Sequence, residues 1–423
     1  MSVAKRSIAT TEATGATQRN RGALAGGALF IRGTGMLAGQ PITVIGGGIG
    51  GLAAALAAAR HGARVTVLEQ APEIAEVGAG IQISPNGWAV LKALGLDQAV
   101  AAEAPRLTAV RLRDFRRGAQ VFTMPLSRAD RPFHAVHRAD LIDILATACR
   151  EAGVAFRLNT RVEAVEVDGA ETVLTLSDTM PERHGLTFAA DGIHSPARAA
   201  LNPRSRAWFT GQVAWRATVP DDGSLAAEAH VFMGPGRHLV RYPLRQGRLV
   251  NIVAVEERDA WGPEGWHHTD DPANLRRAFT DFCPELRGLL DRVETVHLWG
   301  LFRHPVATVW TQGQLALLGD AAHPTLPFLA QGANMALEDA WSLVAALASD
   351  PDTADALATY AELRRPRTAR IVQAAEANAT NYHLRPGPWR FAAHSALRLA
   401  QRVAPHAVTG RFDWLHGHDV TRG

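Results

Sequence analysis

The feature of this chain that most restricts its fold is a glycine-rich turn between a short apolar strand and a helix. Residues 42–45 read as a buried strand, and the run Gly46-Gly47-Gly48-Ile49-Gly50-Gly51 leads directly into the helical stretch 52–61. A second strand pattern at 65–68 ends at Glu69, 18 residues beyond the last glycine of the turn. This order of elements is typical of the first unit of a doubly wound, dinucleotide-binding sheet.

Each part of this unit has a physical role. Gly46 allows the tight turn, Gly48 lets the backbone approach a pyrophosphate, and Gly51 allows the helix to pack closely on the strand. The unpaired N–H groups at the helix N-terminus would face the phosphates. Glu69 can accept hydrogen bonds from a ribose diol, and its charge would repel a 2′-phosphate. The unit therefore predicts bound FAD or NAD and disfavours NADP.

Composition excludes other classes of protein. The 423 residues are 47% apolar and 20% charged, and no uncharged apolar run is long enough to span a bilayer. The net charge of +3 is spread along the chain, without the clustered basic face of a nucleic-acid reader. Cys149 and Cys283 are the only cysteines and do not make a disulfide framework, so we expect a reducing, cytoplasmic location.

The chain divides into segments of different character. Residues 1–39 are rich in small and polar residues and predict a disordered extension, and we expect translation to begin at Met36. Short alternating runs predict the strands of an antiparallel sheet at 213–219, 230–233, 239–243, 249–255 and 296–302. The expected domains are a dinucleotide-binding domain from 40–199 and 299–370, a sheet domain from 200–298, and a helical segment from 371–423.

Two further glycine motifs resemble signatures of flavoprotein aromatic hydroxylases. The segment Ala190-Asp191-Gly192-Ile193-His194 resembles their Asp-Gly motif, and Gly319-Asp320-Ala321-Ala322-His323-Pro324 resembles their Gly-Asp motif. The continuation 325–339 also matches the family closely. The order and spacing of all three motifs resemble the single-component enzymes of the salicylate hydroxylase and 3-hydroxybenzoate 6-hydroxylase type, which share the 4-hydroxybenzoate hydroxylase fold.

This resemblance implies an α/β fold with a Rossmann-like, GR2-type FAD-binding domain, an inserted antiparallel β-sheet substrate domain and a helical C-terminus. The helix at Gly332 would aim its N–H groups at the flavin pyrimidine edge, where negative charge accumulates on reduction. Arg138 has a second interpretation, as an ion-pair partner of Asp140 or Asp143. The expected cofactor contacts are Gly46, Gly48, Gly50, Gly51, Glu69, Gly80, Gln82, Arg138, Val162, Asp191, Gly319, Asp320, Gly332, Ala333 and Asn334.

The resemblance also implies an FAD-dependent monooxygenase that hydroxylates a small aromatic or heteroaromatic phenol with NADH or NADPH and O2, through a flavin C4a-hydroperoxide. No second strand–glycine turn–helix unit follows the first, so the nicotinamide is expected to bind transiently. A mostly apolar pocket between sheet and flavin would exclude water. A homodimer is a candidate assembly.

The pocket residues are the least constrained part of the prediction. Candidate substrate contacts are Trp215, Phe328 and Pro324. A histidine that titrates near neutrality can deprotonate a phenol. Some members of the resembling family carry such a base where this chain has Trp215, so His304 is the first substitute, followed by His238 and Tyr242. Each of these side chains could instead fill the core.

Two alternatives remain open, whereas a hydrolase is rejected and a metal site is not favoured. A basic, apolar stretch at 389–403 could be a membrane-surface helix for a quinone-like lipid precursor, or it could pack against the cofactor domain. The same fold could serve a flavoprotein oxidase or reductase. Asp191, His194 and Ser195 lack the GxSxG elbow of a hydrolase. Residues 266–271 include metal-capable side chains without a recognisable ligand spacing, so a polar loop is expected there.

Overall fold

The computed structural model describes residues 37–74, 79–126, 131–177, 179–261, 268–385, 387–403 and 410–422. The expected start at Met36 and most of the predicted extension lie outside the described residues, as do the first two residues of the histidine-rich segment at 266–271.

The strands of the described residues are numbered in chain order. They are β1 Pro41–Ile45, β2 Arg64–Leu68, β3 Gly80–Ile83, β4 Arg106–Leu107, β5 Ala109–Asp114, β6 Gln120–Pro125, β7 Phe133–His137, β8 Ala155–Arg157, β9 Val162–Asp168, β10 Glu171–Leu176, β11 Glu182–His184, β12 Thr187–Ala189, β13 Trp208–Pro220, β14 Glu228–Gly234, β15 Arg237–Leu244, β16 Leu249–Glu257, β17 Thr269–Asp270, β18 Val296–Arg303, β19 Thr311–Gln312 and β20 Leu315–Leu317.

The helices of the described residues are numbered in the same way. They are α1 Ile49–Arg60, α2 Pro85–Ala93, α3 Asp97–Glu103, α4 Arg138–Glu151, α5 Pro196–Leu201, α6 Pro272–Ala278, α7 Pro284–Asp291, α8 Gly332–Ser349, α9 Thr353–Tyr382, α10 Pro388–Val403 and α11 Asp413–His416. Short 3-10 turns cover Arg245–Gly247, Gly319–Ala321, Pro327–Leu329 and Gly410–Phe412.

A six-stranded, mostly parallel sheet carries the glycine-rich turn. Its order is β19-β20-β12-β1-β2-β8, and β1 pairs in parallel with both β2 and β12. Four of the five residues of β1 are buried, because helices cover a parallel sheet on its faces and its strands read as continuous apolar runs. Helix α1 lies between this sheet and α8. The predicted α/β architecture with a Rossmann-like unit is confirmed.

An eight-stranded sheet forms the other half of the structure. Its order is β17-β18-β13-β16-β15-β14-β5-β6, antiparallel except where β5 pairs with β14. The five predicted strands are present as β13, β14, β15, β16 and β18. The hairpin β5–β6 at 109–125 comes from the segment assigned to the dinucleotide domain. It pairs with the edge of β14 that β15 leaves open, so the sheet extends beyond 200–298.

The two faces of this sheet have different neighbours. One face packs against α6 and α7 through Val213, Trp215, Phe279 and Leu286. The opposite face, which carries Ala214, Val253 and Val255, lies over Phe328. Helix α10 packs against β6 rather than on the six-stranded sheet, and Arg390 donates to Asp114 and to the Met233 carbonyl at 3.0 Å each. None of the described helices has the length and apolar character of a bilayer span.

Candidate active site

A cavity of about 1020 Å³ lies between the glycine-rich turn and the inner face of the eight-stranded sheet. Its first half is lined by backbone-rich parts of four elements, which are the glycine-rich turn, β3, the Gly-Asp turn and the start of α8. In the sequence these elements are spread over almost three hundred residues. Its second half is lined by the sheet, by the C-terminal part of α9 and by the middle of α10. The predicted residues that line it are Gly48, Gly50, Gly80, Gln82, Arg138, Gly319, Asp320, Gly332, Ala333, His238, Tyr242 and Phe328.

Steric contacts explain the glycines of the turn. A Cβ on Gly46 would lie 2.4 Å from the Ala190 carbonyl oxygen, and Gly46 also has φ +100°, which side chains rarely adopt. A Cβ on Gly51 would lie 2.0 Å from the Gly46 carbonyl oxygen. A Cβ on Gly48 would meet nothing within 4 Å, although Gly48 lines the cavity. Gly46 and Gly51 are therefore required by the fold, whereas Gly48 leaves space that a ligand can use.

Glu69 secures this turn. One carboxylate oxygen accepts from the Gly47 N–H at 2.7 Å and the other from the Ala71 N–H at 2.9 Å. The side chain is half-buried behind the turn and does not line the cavity. Glu69 therefore positions the backbone that faces the cavity.

Two helix N-termini meet the cavity. Helix α1 begins after Gly48 and α8 after Gln331, and neither has a side-chain cap or an acidic residue in its first turn. The first N–H groups of a helix have no partner within the helix, so they are available to phosphate or carbonyl oxygens. Asp320 is exposed and lines the cavity beside α8, where its carboxylate can accept from a hydroxyl.

Asn334 has a positioning role that the sequence did not predict. Its amide donates to the Gln82 carbonyl at 3.0 Å and the Ala330 carbonyl at 2.8 Å, and its Oδ1 accepts from the Ser84 N–H at 3.0 Å. The side chain is fully buried and does not line the cavity. Asn334 therefore fixes the β3 segment, with Gly80 and Gln82, against the start of α8.

A buried ion-pair network holds the Gly-Asp turn. Asp339 accepts from the Gly319 N–H at 3.0 Å, bonds His323, and accepts from Arg364 Nε at 2.8 Å. Burial alone would raise the pKa of Asp339, but His323 and Arg364 outweigh it and hold the pKa at about 2. Arg364 could not be identified from local sequence, because its partner lies 25 positions away on another helix.

Three other predicted contacts lie away from the cavity. Asp191 lies five residues before α5 and accepts weakly from the Ala197 N–H at 3.5 Å. Burial raises the pKa of Asp191 to about 6. Val162 begins β9 in a separate three-stranded sheet. Pro324 follows the Gly-Asp turn without reaching the cavity.

The expectation that Trp215 faces the pocket is wrong. Trp215 is fully buried on the opposite face of the sheet, where its indole N–H donates to Asp270 at 2.7 Å and its ring meets Phe279 edge-on. Side chains alternate along a strand, so the neighbour Arg216 points to the cavity instead. Arg216 also stacks on Trp299, with Cζ 5.0 Å from the ring centroid. The alternation of side chains along β13 was the sequence feature that could have identified Arg216 as a cavity residue.

His304, the first choice for a base, also lies off the cavity. It is buried just beyond the end of β18, where the chain leaves the sheet toward α5. Arg198 on α5 donates to the carbonyl of Pro305 and, at 3.1 Å, to those of Ala321 and Ala322. These bonds hold the segment after β18 away from the sheet face.

His238 and Tyr242 lie where the sequence predicted, on the cavity face of β15. Both are buried; burial raises the pKa of Tyr242 and, with His383 nearby, lowers that of His238 well below its usual value. His238 lies 5.6 Å from the Phe328 ring and 5.2 Å from the Tyr382 ring, centroid to centroid. A neutral imidazole and apolar walls together form a site for a ring-shaped ligand.

Comparison with known proteins agrees with this geometry. Residues 40–375 match a family model described as an FAD binding domain. The chain is 35% identical to a 3-amino-4-hydroxybenzoate 2-monooxygenase of Streptomyces platensis, over 90% of this chain and 96% of the relative. It is 36% identical to a 3-hydroxybenzoate 6-hydroxylase of Polaromonas naphthalenivorans, over 90% and 96%.

A solved structure has the same fold. The Klebsiella pneumoniae protein HpxO, complexed with FAD and uric acid, superposes with a TM-score of 0.75 at 26% identity. The alignment covers 86% of this chain and 94% of that protein.

Proposed function

We propose a substrate for this chain, which belongs to the FAD binding domain family and is an FAD-dependent aromatic monooxygenase. The proposed substrate is a hydroxybenzoate. The observation that carries the proposal is the position of Arg216 among apolar side chains on the sheet side of the cavity. Hydroxybenzoates are also named for two relatives that match nearly the full chain. These relatives do not favour a quinone-like lipid precursor.

The residues present fit FAD. The space beside Gly48, the uncapped starts of α1 and α8, and the exposed carboxylate of Asp320 offer donors and acceptors of the kinds that a pyrophosphate, a flavin ring edge and a ribityl chain need. When bound, FAD supplies the electron transfer and oxygen activation, and NADH or NADPH is the co-substrate. Among the predicted contacts, Gly48, Asp320 and Arg138 would reach it from the cavity wall.

Arg216 would hold the substrate carboxylate. The guanidinium is charged at all physiological pH values, and a carboxylate in a mostly apolar cavity requires a charged partner. Stacking on Trp299 restricts the guanidinium plane, which favours a two-pronged bond to a carboxylate. The same pairing would fix the position of the ring hydroxyl relative to His238.

The rest of the substrate site would exclude water. Val240, Val253 and Val255 line the sheet side of the cavity, and Phe328 packs against them from the facing turn. Among the side chains that the eight-stranded sheet presents to the cavity, His238 and Tyr242 are the two that could take the proton of a phenol. Of these two, His238 is the suitable acceptor, since burial raises the pKa of Tyr242 and keeps it protonated.

The test is a screen of NADH and NADPH oxidation by the FAD-loaded protein with isomeric hydroxybenzoates and the corresponding phenols without a carboxyl group. At least one hydroxybenzoate should stimulate oxidation and yield a product heavier by one oxygen atom. Arg216→Gln should raise KM for that acid about tenfold or more, since hydrogen bonds to charged groups contribute about 1.5–3 kcal/mol. It should change KM for the matched phenol much less.

Arg258→Gln is the matched control. Arg258 also stacks on a tryptophan, with Cζ 4.8 Å from the Trp215 ring centroid, but on the far face of the sheet. It should leave KM for the acid unchanged. Equal stimulation by acids and phenols, or an equal KM change in both variants, would contradict carboxylate recognition by Arg216.

The oxygen co-substrate, the cellular location and the assembly of the protein are part of the same proposal. Molecular oxygen would be the second co-substrate, and the enzyme would act in a reducing cytoplasm, where Cys149 and Cys283 stay as the free, buried thiols seen in the structure. The proposal also includes a homodimer and a separate sheet domain, made of residues 200–298 together with the hairpin at 109–125.

A further inference from the structure

Three titratable side chains form a continuous hydrogen-bonded line from the cavity to the protein surface. His238 Nδ1 lies 2.6 Å from His383 Nε2, and His383 Nδ1 lies 2.9 Å from Glu257 Oε1. His238 lines the cavity and is 2% exposed, and His383 is 5% exposed. The Glu257 side chain is 45% exposed. Exposure therefore increases along the line, from the substrate site to solvent.

Three separate elements bring these side chains together. In the sheet, His238 of β15 pairs with Val255 of β16, and Glu257 is the next residue on the same face of β16. His383 follows the last residue of α9, 145 positions from its imidazole partner. Backbone bonds at Gly236 join all three, because its N–H donates to the His383 carbonyl at 3.3 Å and its carbonyl accepts from the Glu257 N–H at 2.9 Å.

The surroundings keep both imidazoles neutral at physiological pH. Burial lowers the pKa of His238 and of His383, although Glu257 acts in the opposite direction on His383. Tyr382 lies 5.2 Å from His238 between ring centroids. The other titratable or charged side chains on the same cavity are Arg138, Arg216, Tyr242, Asp320, His394, Arg411 and His416. Neutral imidazoles each carry one donor and one acceptor nitrogen, as a chain of proton transfers requires.

We propose that His238, His383 and Glu257 form a proton path between the ring hydroxyl of the bound substrate and solvent. The inference rests on the proposed function, because it assumes a phenol beside His238. His238 would be the catalytic base, and the other two would act through it. A cavity that excludes water needs such a path, because the proton of a buried phenol has no direct route out.

The proton balance of the path is complete. His238 Nε2, which has no hydrogen bond to any described residue, accepts the phenolic proton. The proton on its Nδ1 passes to His383 Nε2, and the proton on His383 Nδ1 passes to Glu257, which releases it to water. One proton leaves for each phenolate formed, and both imidazoles end with reversed tautomers. Return of a proton to the product oxygen along the same line restores them.

The test uses the FAD-loaded protein and 4-hydroxy-3-nitrobenzoate, a hydroxybenzoate whose phenolate absorbs visible light. The mixing is done at a pH below the pKa of the free phenol, so that the probe enters the site protonated. Rapid mixing then reports ionisation of the bound phenol, and equilibrium titration reports its affinity. His238→Gln should abolish ionisation in the site. His383→Gln should slow ionisation at least about tenfold with little change in affinity, and added imidazole should restore the rate in His383→Ala. Glu257→Gln should slow it less, because solvent water can replace an exposed carboxylate.

His230→Gln is the matched control, since His230 also pairs with a glutamate, Glu228, at 3.1 Å, but outside the cavity. It should ionise the probe at the wild-type rate. Wild-type ionisation in His383→Gln, or failure of the wild-type protein to ionise the probe, would overturn the path. The NADH oxidation screen decides the proposed function separately, because a protein that ionises the probe but hydroxylates no benzoate would retain the path and lose the function.

Discussion

Gly48→Ala should weaken cofactor binding without destabilising the fold, because the space beside this residue would be occupied by the cofactor and not by a protein atom. Gly48 has φ −77°, which alanine adopts freely, and its added Cβ would meet no protein atom within 4 Å. The loss of an N-cap glycine and the reduced freedom of the unfolded chain each change stability by less than about 1 kcal/mol, in opposite directions. The free energy of unfolding without FAD should therefore stay within about 0.5 kcal/mol of wild type.

FAD affinity should fall in the same variant. A methyl group at this position would occupy the space in which a pyrophosphate would approach the backbone, and a tenfold weaker Kd corresponds to about 1.4 kcal/mol. At an FAD concentration 100 times the wild-type Kd, the cofactor stabilises the wild type by about 2.7 kcal/mol and such a variant by about 1.4 kcal/mol. Titration by flavin fluorescence gives Kd, and denaturant unfolding with and without FAD gives both stabilities.

Gly51→Ala is the informative comparison. Its Cβ would lie 2.0 Å from the Gly46 carbonyl oxygen, so α1 must move, and the apoprotein should lose about 1–3 kcal/mol. The reasoning is refuted if Gly48→Ala binds FAD as tightly as wild type. It is also refuted if the two variants destabilise the apoprotein equally.

Two further predictions concern stability. Arg364→Leu should lower the free energy of unfolding by about 3–5 kcal/mol, because Glu338 and Asp339 would remain buried with fewer partners. Calorimetry would measure this loss. A loss below about 1 kcal/mol would contradict a structural role for the network. Burial lowers the pKa of His416 from 6.5 to about 4, so this group contributes stability above pH 6.5 that is lost as pH falls toward 4. His416→Leu should therefore show a shallower decline of unfolding free energy over that pH range, and an unchanged slope would assign the acid sensitivity to other groups.

Local sequence was informative where a short segment determines its own conformation. The strand, glycine turn and helix at 41–60 were predictable because the positive φ of Gly46 and the contact of Gly51 with the Gly46 carbonyl are both set within that unit. The strands of the large sheet were also predictable, since alternation of apolar residues is a property of each strand. The same alternation placed Trp215 and Arg216 on opposite faces, but it did not say which face would meet the cavity.

Tertiary structure decided the chemistry of the cavity. Helices α6 and α7 cover the face that carries Trp215, so Arg216 and His238 face the cavity on the other side. Packing at the end of α9 brings His383 to a histidine 145 positions earlier, and no local pattern records that contact. The sequence by itself determined the phosphate-binding turn and the α/β class, because these depend on backbone sterics within a few residues. The residues able to hold a carboxylate or carry a proton were determined only when distant strands and a helix end packed together.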